Sequence, residues 1–93
     1  MTDVPPSFLL LVTGPGPRSE TAADCVRSAC AQVYGEACRI EVVDRLEDEE
    51  AARRERVALT PTLIRRHPEP ERSWVGAFAD TDALARALRT SDA

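Results

Sequence analysis

The chain has 93 residues, 12 basic against 16 acidic, for a formal net charge of −4. That length allows one domain, and 43% hydrophobic with 30% charged residues suits a single soluble core and excludes disorder throughout. The longest strongly apolar run, Phe8 to Val12, falls far short of a bilayer span, and Met1-Thr2-Asp3 lacks the basic lead of a signal peptide, so a cytoplasmic protein without membrane contact is expected. All basic residues are Arg and Lys is absent, which excludes a Schiff-base lysine or a lysine-based phosphate loop. A pI near 4.9 argues against a nucleic-acid binder.

Residues 1–6 end in Pro5-Pro6 and read as a loose lead-in to one domain over residues 7–89. Ser7 to Thr13 is a continuous apolar run of strand length without alternation, as expected for a central strand covered on both faces. Gly14-Pro15-Gly16-Pro17 stops it, since proline offers no N–H for a ladder or helix interior. Ser19 is placed to cap a helix, with Glu20 at the positive end of its dipole. Ala22, Val26, Ala29, Cys30 and Val33 recur at three and four residues and define a buried stripe. Gly35 suits the left-handed C-terminal position. Cys38 to Asp44 alternates and is β-branched, a second strand, so the first three elements form a βαβ unit with parallel strands.

From Asp44 to Arg56, ten of thirteen residues are charged, so this segment reads mainly as a solvated helix face. Glu49→Arg53 and Glu50→Arg54 have the favourable i,i+4 order, while Leu46, Ala51, Ala52 and Val57 are left to dock it. Leu59 to Ile64 resumes strand character, followed by a turn at His67-Pro68-Glu69-Pro70-Glu71 and a short returning strand, Ser73 to Gly76. Asp80 caps a last helix, Thr81 to Arg89, with Leu84, Ala87 and Leu88 as apolar positions. Residues 90–93 form a polar tail.

Cys25, Cys30 and Cys38 are odd in number, show no CxxC spacing and accompany one histidine, His67, so no metal site, cofactor or structural disulfide is expected. The thiols read as small apolar side chains.

The order β-α-β-α-β-β-α is that of an α/β thioredoxin-like fold, a four-stranded mixed sheet with helices on both faces, and Thr60-Pro61-Thr62 stands where such folds usually carry a cis-proline. The chain from Phe8 to about Leu88 resembles the KaiB family of circadian-clock proteins and the related input domain of clock-output sensor histidine kinases. The resemblance rests on four segments: Leu11-Val12-Thr13-Gly14 with Pro17-Arg18-Ser19; Ile40 to Asp44; Ala58-Leu59-Thr60-Pro61-Thr62-Leu63; and Pro68 to Pro70 followed by Arg72 and Gly76. It implies a binding protein that docks on a KaiC-like P-loop ATPase or acts in a sensor-kinase pathway, possible homo-oligomers, and in many members a slow exchange between a tetrameric resting fold and a thioredoxin-like monomer.

Gly14, Ser19 and Pro61 are then structural positions. The second strand offers Arg39, Glu41 and Val43 as a docking edge. Arg65, Arg66 and Arg72 resemble the family's basic cluster, with Trp74 as a further contact. Plainer readings stand beside these: Glu41 as an edge-solubilising charge, the arginines lying along Glu69 and Glu71, Trp74 as sheet packing. Ala87 and Arg89 replace a Gly and an Asp of the family pattern, and both favour the closing helix of the thioredoxin-like state. Two rivals remain: a thiol oxidoreductase, which needs a thiolate at the start of the first helix where Gly14 to Ser19 holds no cysteine, and a stand-alone kinase-input-type scaffold.

Overall fold

The computed structural model describes residues 4–90; residues 1–3 of the expected lead-in and 91–93 of the expected tail lie outside them. Seven elements follow in order: β1 Ser7–Val12, α1 Pro17–Tyr34, β2 Arg39–Asp44, α2 Glu49–Arg54, β3 Thr62–His67, β4 Arg72–Val75 and α3 Thr81–Thr90. The sheet runs β2-β1-β3-β4. β1 pairs parallel with β2 and antiparallel with β3, and β4 returns antiparallel beside β3. The fold is thioredoxin-like, with β1 inside and β2 and β4 at the two edges.

Alternation along the strands sorts their side chains onto two unequal faces. Phe8, Leu10, Val12 and Leu63 meet Val26, Ala29 and Cys30 of α1 and Leu84, Ala85 and Leu88 of α3 in one large core. On the other face Leu9, Leu11 and Ile64 meet only Ala51 of α2 among the buried residues, flanked by Val43 and Val57. Each fully buried Leu contributes about 1.5–3 kcal/mol, so most of the hydrophobic stabilisation sits on the α1/α3 face.

Local chemistry sets the ends of these elements. α1 opens at Pro17, whose missing N–H is harmless in a first turn, and closes at Gly35, φ 85°, whose N–H returns to the Ala31 carbonyl. Ser19 is therefore not the cap: Gly16 is, and the Ser19 hydroxyl in the first turn donates to the Gly14 carbonyl at 2.7 Å. Asp80 caps α3 as expected, accepting from Ala83 N–H at 3.0 Å. β3 starts at Thr62 rather than Leu59 because Leu59 to Pro61 bend before the ladder, with the Thr62 hydroxyl bonded to the Leu59 carbonyl. It then continues through Arg65, Arg66 and His67, which the sequence placed after the strand. Leu46 does not help dock α2; it is 65% exposed, whereas Ala51 and Ala52 are buried.

Candidate docking surface

The β2 edge is open, and its backbone polarity can be read from its partner. Arg39 N–H donates to the Pro6 carbonyl at 2.7 Å and Arg45 N–H to the Val12 carbonyl at 2.9 Å. Odd-numbered residues of β2 thus turn their backbone groups toward β1, and alternation turns those of Ile40 and Val42 to the free edge, while the Asp44 carbonyl accepts from the Glu47 and Asp48 N–H groups of the next turn. Arg39, Glu41 and Val43 share the α2 face, where they register with Ser7, Leu9 and Leu11. Arg39 and Glu41 are exposed and Val43 is half-buried against α2. Val42, which the sequence analysis did not single out, is also exposed on the opposite face; charges alternating with β-branched residues were the available signal. One carboxylate oxygen of Asp44 accepts from both Gly14 N–H (2.8 Å) and Leu46 N–H (2.9 Å), so it anchors the loops after β1 and β2.

The expected basic cluster is divided by the pleat. Arg65 is 1% exposed, on the α1/α3 face, where its guanidinium donates to the Tyr34 hydroxyl and the Pro70 carbonyl, both at 3.1 Å. It joins the end of α1 to the β3–β4 turn and presents no cation to a partner. Its neighbour Arg66 lies on the other face in an ion-pair network with Glu55 and, at 3.0 Å, Glu71. The Arg66 hydrogen bonds hold the Glu55 carboxyl below the ordinary range, against the opposing effect of burial, and Glu55 in turn raises the guanidinium. Arg72 is exposed, while Trp74 is half-buried against the α1/α3 core. Arg66 and Arg72 therefore stay at the surface: Arg66 lines a groove together with Arg39 and Glu41, whereas Arg72 sits on β4, at the opposite edge of the sheet.

The Thr60–Pro61 bond is cis, as are those before Pro68 and Pro70. Pro61 lines a groove of about 730 Å³ with Thr13, Pro17, Arg18, Ser19 and Thr60 among its walls, where the Thr13 and Thr60 hydroxyls share a hydrogen bond. No cysteine is among the residues lining it. Cys25 and Cys30 are buried in the α1/α3 core and Cys38 is half-buried at the head of β2. Burial pushes the Cys30 thiol far above its ordinary value, and raises Cys38 too, opposed there by a hydrogen bond from Cys30. Among the described residues no group of His, Cys, Asp or Glu gathers to hold a metal ion, and no helix is long and apolar enough to cross a membrane.

Comparison with known proteins adds three findings. A family model described as the KaiB domain matches residues 9–90. Circadian clock protein KaiB3 of Synechocystis sp. is 30% identical over 79 residues, covering 85% of this chain and 78% of that protein. Among solved structures, the N-terminal domain of Synechococcus elongatus SasA superposes with a TM-score of 0.79 at 22% identity, over 97% of this chain and 85% of that one. Drosophila melanogaster Deadhead, a thioredoxin, gives 0.68 at 20% identity over 92% and 80% of the two chains, a likeness of fold.

Proposed function

The chain belongs to the KaiB family, and from that premise we propose that it is a non-catalytic regulatory protein whose β2 edge docks on a KaiC-type P-loop ATPase or a related signalling partner. The family match over residues 9–90 carries this reading. The edge supports it physically: outward N–H and C=O groups can accept an added strand, and the side chains beside them select the partner. Arg39, Glu41 and Val43 supply that selectivity, with Arg66, Arg72 and Trp74 as contacts across the sheet. Glu41, where clock members tend to place a Lys, tunes the edge toward a partner with a complementary cation. Against the thiol-reductase alternative stand the buried Cys25 and Cys30 and the thiol-free lining of the Pro61 groove.

The test is co-elution of the purified chain with a KaiC-type ATPase, with and without ATP. Binding that falls roughly tenfold or more in Glu41→Lys supports the reading, by the cost of a reversed interfacial charge. Absence of binding in both nucleotide states would overturn it, and turnover in an insulin-reduction assay would overturn the non-catalytic assignment.

We further propose that Ala87 and Arg89 hold the chain in the thioredoxin-like state. Both lie in α3, Arg89 in its last turn. Relative to Gly and Asp they favour the helix by ~1 and ~0.3–1 kcal/mol, a meaningful share where two folds of one sequence differ by a few kcal/mol.

A further inference from the structure

The residues along the β2 edge are arranged to match a second copy of themselves. An antiparallel pairing of two β2 strands keeps each sheet face on one side, so a residue opposes one of the same parity on its twin, and the two-fold axis must pass at a residue. Centred on Ile40, the pairing places Arg39 opposite Glu41 of the second copy and Glu41 opposite its Arg39. The backbone agrees: Ile40 turns its N–H and C=O outward to form the central hydrogen-bonded pair, while Arg39 and Glu41 turn theirs toward β1. The charged residues therefore meet as non-hydrogen-bonded pairs, the closer of the two kinds of cross-strand neighbour.

Other centres are worse. An axis at Glu41 opposes like carboxylates, one at Val42 opposes Arg39 to Arg45, and one at Val43 brings together the two α2 helices, which pack over Val43. Around Arg39 and Glu41 the α2 face carries no helix. An open groove of about 310 Å³ lies there, lined by Ser7, Leu9, Arg39, Glu41 and Arg66 among others, with room for the partner's side chains.

We propose that this protein forms a symmetric homodimer through antiparallel β2 strands about Ile40, joining two four-stranded sheets into one of eight. The dimer needs only this chain and so stands apart from the partner proposed above, but it covers the same edge: self-association and partner docking exclude one another.

Sedimentation equilibrium of the chain alone, over roughly 1 µM to 1 mM, tests it. A reversible monomer–dimer equilibrium that weakens with added salt is expected. Arg39→Glu and Glu41→Arg singly should each raise the dimer Kd by roughly tenfold, because two attractive pairs become repulsive. The double swap R39E/E41R should restore it, with circular dichroism unchanged throughout since both side chains are exposed. A chain monomeric across the range, an oligomer indifferent to the single reversals, or a double swap as weak as the singles would each overturn the proposal.

Discussion

The two faces of the sheet divide the labour of the molecule. The α1/α3 face buries residues from β1, β3 and both long helices, whereas the α2 face offers a six-residue helix and a buried apolar cluster of only four residues. A thick face can lose contacts only at a cost in stability; a thin one leaves strand surface and grooves open. Val75 and Leu59 line such a groove beside Glu55 and Arg72, and both are more than half exposed. The lesson is that uneven cover, more than any one residue type, decides which side of this sheet keeps strand surface accessible.

The sharpest break of that comparison is a pair of truncations. Leu88→Ala, in the thick core, should destabilise by about 2–5 kcal/mol in urea unfolding, while Leu46→Ala, in the exposed turn between β2 and α2, should change stability by no more than about 0.5 kcal/mol. Next in size is Arg65→Ala, expected to cost about 2–4 kcal/mol because it empties a buried site and strips the Tyr34 hydroxyl and Pro70 carbonyl of a donor. Tyr34→Phe should reproduce roughly 1–2 kcal/mol of that loss. The adjacent Arg66 gives a smaller figure: Glu55→Gln should lose about 1 kcal/mol, since part of the ion pair is exposed and screened.

Acid titration sharpens the same point. The folded Glu55 pKa is depressed, so its contribution is complete above the range where an unfolded Glu titrates and is lost as pH falls through the lower folded value. The wild-type stability curve should therefore steepen on its acid side relative to Glu55→Gln. Smallest, at ~0.3–1 kcal/mol each, are Ala87→Gly and Arg89→Asp. Chemical shifts over residues 81–90 in the double variant should show reduced helix population, and unchanged shifts would remove the proposed bias.

The element order was legible because its signals are local: an unbroken apolar run for β1, Gly35 ending α1, Asp80 opening α3. The divided arginines were not. Arg65-Arg66 reads as a solvated pair beyond a strand, because the group that accommodates Arg65, Tyr34 on another element, is 31 residues away in sequence. Ser19 misled for a related reason: as a Ser before a helical pattern it has the chemistry of a cap, but Pro17 had already opened the helix. Of the proposed docking edge, alternation identified the strand and the family resemblance put Arg39, Glu41 and Val43 at the sheet's edge; which backbone groups face outward depended on the register with β1.

The graded cover over the three sulfurs gives the molecule a built-in unfolding reporter. Only the sulfur just ahead of Arg39 is half-open to an alkylating reagent, while the two inside α1 become reactive only when the helix lifts from the sheet. Stepwise mass gain under brief iodoacetamide treatment would thus separate local fraying at the head of β2 from global opening, in unmodified protein and without any introduced label.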